Sequence, residues 1–162
     1  MPVKSLLSQV DAAVLAKAID GELYAAHLYR HVANQLQRLG YFGAQKFFLA
    51  ESADETAHYQ KIADFMNDRG DVARLPQIPA IDEKITGLRD AIESAYDTEL
   101  QLCEDYEAGY RRCTSLITQQ FLLQFLEGQR KAVGEYGDLL ARLDRAGADA
   151  AAILIIDKEL GE

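Results

Sequence analysis

"AESADETAHYQ", residues 50–60, lies in a tract whose apolar residues recur at helical spacing. It places Glu51, Asp54, Glu55 and His58 where a core-facing helix carries Leu, Ile or Phe. The face that contains His58 also carries Phe47, Phe48, Glu51, Glu55, Ile62 and Phe65, related by steps of three or four. This stripe is apolar at both ends and acidic in the middle.

The same interruption recurs elsewhere. Residues 9–39 hold a second helical stripe, Val14, Ala18, Glu22, Ala25, Tyr29, Val32 and Leu36, with one carboxylate at mid-length. Residues 84–112 hold a third, Leu88, Ile92, Ala95, Glu99, Leu102 and Tyr106, again with one acid. Residues 114–146 hold a fourth, Phe121, Phe125, Gly128, Ala132, Tyr136 and Leu140, flanked by Gln129, so its central position is small or amide. The tract around residue 50 runs over 42–69 and ends at Gly70, and Gly40 separates it from the first.

Between the second and third helices, "GDVARLPQIPAIDE" (70–83) has two prolines and no sustained helical pattern. Extended, it reaches roughly 48 Å, the length of a helix of about thirty residues. Two long helices, one long connection and two more long helices predict an all-α four-helix bundle with a single crossover, a ferritin-like topology, although other four-helix topologies fit the same spacing. A tail, "ADAAAILIIDKELGE", follows at 148–162. Its run Ile153–Ile156 marks a subunit interface or a strap folded back on the bundle.

Composition narrows the classes. The chain has 162 residues, the size of one domain, with 49% apolar residues and no tryptophan. The net charge of −9 lacks the basic stripe of a nucleic-acid surface and favours cations as partners. No apolar run approaches the ~20 residues of a membrane span, and "MPVKSLLSQV" does not read as a signal peptide. Cys103 and Cys113, with no CxxC or Cys/His pairing, read as reduced packing residues, which predicts a cytoplasmic protein.

Several unpaired carboxylates inside a bundle repel one another and lose their hydration, so something positive is required. Arg and Lys are sparse on these faces. A pair of divalent metal ions meets the need, and Glu-x-x-His, here Glu55 and His58, puts a carboxylate and an imidazole side by side on one face. Carboxylate-rich ligation with one nitrogen favours iron or manganese. Alone, Glu-x-x-His is on most helices a solvated face; Glu22 and Glu99 on other stripes are what lift it. His27 and His31, an i, i+4 pair, sit at a different angle and read as solvated or intersubunit.

Over nearly its whole length the chain resembles the ferritin family, more closely its non-haem cage-forming members than the bacterioferritins. The resembling stretches are "GELYAAHLYRHVA", "AESADETAHYQKIADFMNDRGDVARLPQI", "GQRKAVGEYGDLLARLDRAG" and the closing "IDKELG", whose likeness to the family's tail implies a short fifth helix at about 149–160. The resemblance implies a dinuclear non-haem iron centre with Glu22, Glu55 (bridging), His58, Glu99 and Gln129. Asp54 stands where a second glutamate is usual, Tyr29 beside the site, and Glu127 as a nearby acid able to substitute. It implies a ferroxidase that oxidises iron(II) with O2 or hydrogen peroxide and stores iron(III) mineral inside a homo-oligomer of twenty-four subunits. Gly128, Lys131 and Ala132 occupy positions where many bacterial ferritins carry acids of a third iron site, which puts that site in doubt. Thr56 stands where bacterioferritins present a haem-ligating methionine, so no haem is expected. Two alternatives are a ferritin-like diiron oxidase or peroxidase that stores nothing, and a cage subunit whose centre is impaired.

Overall fold

The structure, a computed structural model, describes residues 3–162, so Met1 and Pro2 of the N-terminal segment lie outside it. Five helices follow one another: α1 Gln9–Leu39, α2 Phe42–Asp68, α3 Leu88–Arg112, α4 Leu116–Ala146 and α5 Ala150–Leu160. No strand occurs among the described residues. α1 begins at Ser8, whose hydroxyl accepts from Asp11 N at 3.0 Å, and ends at Gly40, whose φ of 87° suits a residue without Cβ. The tight turn there sends α2 back along α1. α3 and α4 form a second hairpin across residues 113–115, and the crossover 69–87 joins the two pairs. This is a four-helix bundle with one long crossover and a short fifth helix.

Two helices start later than their sequence patterns predict, because other contacts claim the preceding backbone. α3 starts at Leu88 rather than 84: Ile85 is buried and its N–H donates to Gln35 Oε1 of α1 at 2.9 Å, while Asp90 accepts from Thr86 N at 2.9 Å. α4 starts at Leu116 rather than 114. The Thr114 and Ser115 N–H groups donate to the buried carboxylate of Asp11 at 2.7 and 3.2 Å. One acid of α1 thus fixes the α3–α4 turn.

α1 is the most central helix, burying Leu15, Ile19, Leu28, Tyr29, Val32 and Leu36 against α2 and α3. α2 and α4 meet through large rings instead: Phe65 stacks on Phe121 at 4.0 Å between centroids, and Phe47 meets Tyr136 edge-on at 6.1 Å. α4 also turns slightly about its axis relative to the sequence stripe. Its buried face runs Thr118, Leu122, Phe125, Gln129, Tyr136 and Leu143, and Gly128 is exposed at the edge.

α5 folds back on the bundle. Its Asp157 accepts from Gly43 N (3.3 Å) and Ala44 N (2.7 Å), capping an α2 N-terminus that Tyr41 leaves without a side-chain cap. A Cβ on Gly43 would lie 1.8 Å from the Asp157 carbonyl oxygen, so this docking needs glycine. Ile156 is buried by it, while Leu154 and Ile155 stay exposed at 53% and 59%. The tail is therefore partly a strap and partly a free apolar face.

Candidate metal centre

Each of the four long helices sends one polar group into the middle of the bundle, and α2 sends two. Glu22 (α1), Glu55 (α2), Glu99 (α3) and Gln129 (α4) are 0, 4, 1 and 3% exposed, which rules out a solvated face for any of them. His58 follows Glu55 by one turn and is one-third exposed along its side chain. Glu22, Glu55 and His58 each offer a ligand atom, all within 4.8 Å of one another. His58 Nδ1 lies 3.2 Å from Glu55 Oε2 and 3.4 Å from Glu22 Oε2.

Glu99 is held beside this trio. Gln129 Nε2 donates to Glu99 Oε2 at 2.6 Å and to the Glu99 carbonyl at 3.1 Å, and the Tyr29 hydroxyl donates to Glu99 Oε1. A reciprocal bond closes the set: the Tyr106 hydroxyl donates to Glu22 Oε1. Tyr29 follows Glu22 by seven residues and Tyr106 follows Glu99 by seven, two helical turns in each case, so each tyrosine reaches the acid of the opposite helix. Tyr106 stacks on Phe125, centroids 5.3 Å apart, and Phe125 in turn meets the His58 ring edge-on at 6.0 Å.

Tyr106 was missed as a site residue by sequence reasoning, although its spacing from Glu99 repeats that of Tyr29 from Glu22. A second missed pair is Glu51 and Tyr136, whose hydroxyl donates to Glu51 Oε2 at 3.0 Å. Asp54 is not brought in: one residue from Glu55 is 100° around the helix, and its side chain is exposed. Glu127, two residues from Gln129 and about 200° away, is also exposed and pairs with Arg130 at 2.7 Å. Lys131 and Gly128 are exposed as well. His27 is exposed, its Nδ1 2.7 Å from the Leu23 carbonyl, and His31 is tied to the crossover with Nε2 2.8 Å from the Glu83 carbonyl. A cleft of about 600 Å³ between α1 and α3 contains none of the clustered ligands.

The electrostatics describe a centre short of positive charge. Burial, with the neighbouring Glu22 carboxylate, pushes Glu55 up to about 10, against the opposing hydrogen bond of His58. The Glu22 and Glu55 carboxylates raise His58 to about 10, although burial opposes them. Burial also raises Glu99, partly offset by Tyr29 and Gln129. For Glu22 burial is outweighed by Glu55, His58 and Tyr106, and its carboxyl is held below the ordinary value. Protons on Glu55 and His58 thus do the work of a cation. Even so, Glu22 Oε2 is buried with no hydrogen bond. A buried carboxylate oxygen without a partner, facing a carboxyl and an imidazole, fits a divalent ion taking oxygen and nitrogen ligands.

The comparisons with known proteins agree with this architecture. Residues 12–146 match the family described as "Ferritin-like domain". A ferritin of Pacifastacus leniusculus is 31% identical over 157 residues, covering 93% of this chain and 87% of that protein. A bacterial non-heme ferritin of Staphylococcus epidermidis is 26% identical over 158 residues, covering 96% and 95%. Among solved structures, an engineered closed form of the Archaeoglobus fulgidus ferritin superposes with a TM-score of 0.92 at 25% identity, covering 96% of both chains. With the family matched over most of its length and the bundle, crossover and fifth helix in place, this chain belongs to the ferritin family.

Proposed function

We propose that the chain is an iron-storage ferritin subunit and a ferroxidase, with the Glu22–Glu55–His58–Glu99–Gln129 cluster as its diiron site. The observation that carries this reading is the dry convergence of three carboxylates and an imidazole from three helices, with Glu22 Oε2 left unpartnered. Iron(II) is the substrate. Glu22 and His58 bind one ion, Glu55 bridges, and Glu99 binds the other, while Gln129 holds Glu99 in place. Two electrons from an iron(II) pair reduce O2 with two protons to hydrogen peroxide, or hydrogen peroxide with two protons to two waters.

The tyrosines set the geometry. Tyr29 and Gln129 hold the two oxygens of Glu99, and Tyr106 holds one oxygen of Glu22, leaving Glu22 Oε2 for metal. The protons that Glu55 and His58 carry without metal leave as iron(II) binds. The second iron position has an amide where the first has an imidazole, so it holds metal less tightly, which suits a substrate that must move on. In the cell the subunit forms a shell of twenty-four copies, with Leu154 and Ile155 covered by neighbouring chains.

The test is iron(II) oxidation followed by absorbance under air or hydrogen peroxide. Wild type oxidises iron(II) rapidly and retains the product in solution as a large particle. His58→Ala and Glu55→Gln lose most of the fast phase. Equal rates in wild type and both variants would contradict the assignment.

A further inference from the structure

A seam between α2 and α4 reaches the centre from one side. Two aromatic contacts, Phe65 on Phe121 and Phe47 on Tyr136, hold these helices apart on either side of it. Between them lies a cavity of about 100 Å³ lined by His58, Lys61, Gln124, Phe125, Gly128 and Gln129. A water-sized molecule needs roughly 10–15 Å³ of such space, so the cavity holds several. Gly128 lines it, and a Cβ built there meets no heavy atom within 4 Å, so the lining has room for a larger side chain at this position. Glu22, Glu55 and Glu99 are buried and do not line the cavity, whereas the His58 side chain is 33% exposed, so the cavity reaches the centre at the His58 imidazole and the Gln129 amide.

The lining selects by charge. It contains no carboxylate, and Lys61 makes no ion pair among the described residues, leaving an ammonium at the opening. A hydrated iron(II) ion finds no carboxylate there and meets the Lys61 ammonium. A small uncharged molecule meets no such barrier, and the Gln124 and Gln129 amides give it polar contacts.

We propose that this seam is the oxidant port of the centre, admitting O2 or hydrogen peroxide to the His58 edge past Gly128, while iron(II) reaches the carboxylates from another side. The proposal rests on the reading of the cluster as an iron-oxidising site.

Gly128→Leu places a branched side chain on the cavity lining, from a Cβ position with no neighbour within 4 Å, and Gly128→Ala adds a single methyl. The first measurement needs no metal: diethyl pyrocarbonate acylation of each histidine in the metal-free protein, followed by site-resolved mass spectrometry, with exposed His27 as internal reference. His58 acylation is expected to fall several-fold in Gly128→Leu and to persist in Gly128→Ala. The second compares anaerobic iron(II) binding with the dependence of oxidation rate on hydrogen peroxide and O2 concentration. Gly128→Leu is expected to bind iron(II) as wild type does and to need several-fold more oxidant for half-maximal rate. Unchanged His58 acylation in Gly128→Leu overturns the port whether or not the centre oxidises iron. Slower anaerobic iron(II) binding in that variant also overturns it, by making the seam the metal's route. A wild-type protein that binds no iron(II) while Gly128→Leu still shields His58 overturns the ferroxidase reading instead, and with it the role of the opening.

Discussion

Glu22 carries the sharpest electrostatic problem in the chain: a fully buried carboxylate with one oxygen on the Tyr106 hydroxyl and the other without a hydrogen bond. Removing the tyrosine hydroxyl frees the first oxygen and lets the acid rotate away from His58. Tyr106→Phe is therefore expected to weaken anaerobic iron(II) binding about 10- to 100-fold, the usual cost of losing a group that orients a metal ligand. Titration calorimetry checks this, and affinity equal to wild type would deny Tyr106 its role. Proton linkage gives a second prediction at this scale. Glu55 and His58, both raised to about 10, are protonated in the metal-free protein at neutral pH. Both raised values make the folded, metal-free state bind more protons than the unfolded one. Its stability is therefore lost as pH rises toward about 10, and iron(II) affinity increases over the same range. Binding in buffers of different ionisation enthalpy should reveal proton release, and none would contradict the assigned protonation.

At the scale of elements, two acids outside the centre hold the bundle ends. Asp11 satisfies the backbone of Thr114 and Ser115, so Asp11→Ala leaves two N–H groups without partners and should cost roughly 2–3 kcal/mol in denaturant unfolding. Burial opposes its ionisation, but the Thr114 N–H and the hydroxyls of Thr118, Thr114 and Ser8 hold its carboxyl below the ordinary 3.8. Its contribution is thus present above pH 3.8 and lost as pH falls through the lowered value, and Asp11→Asn should flatten that acid limb. Asp157 caps α2 from α5, and Asp157→Ala should cost about 1 kcal/mol and expose the α4–α5 junction to limited proteolysis. The long helices were legible because each carries an apolar stripe over many turns, and the crossover because prolines and length permit little else. The phase of α4 was not, since Phe121, Phe125 and Tyr136 border two adjacent angles and the central residues Gly128 and Gln129 bias neither. Glu22, Glu55, His58 and Glu99 were legible as intruders on apolar stripes. Asp54 enters through the family resemblance and Glu127 through its nearness to the site, and 100° or about 200° of helix leaves both exposed beside the clustered ligands. Tyr106 was hidden because a tyrosine on an apolar stripe reads as packing until its hydroxyl partner is known.

For the whole molecule, the net charge of −9 and the exposed Leu154 and Ile155 acquire a common purpose if many copies surround a cation-filled interior. Ile155→Asp should shift native mass toward smaller assemblies while leaving helical content intact, and an unchanged mass would show that α5 does not seal the particle. The α2–α4 seam and the carboxylates belong to one design in which metal and oxidant reach the same buried point by different sides. All of it depends on the buried acids being a metal site rather than a set of protonated carboxyls. Anaerobic titration with iron(II), read by calorimetry together with proton release, tests that most directly. The account predicts saturation at two ions per chain with protons liberated, and loss of the tighter ion in Glu22→Ala. Binding only at the level of nonspecific surface carboxylates, unaltered in that variant, would contradict it.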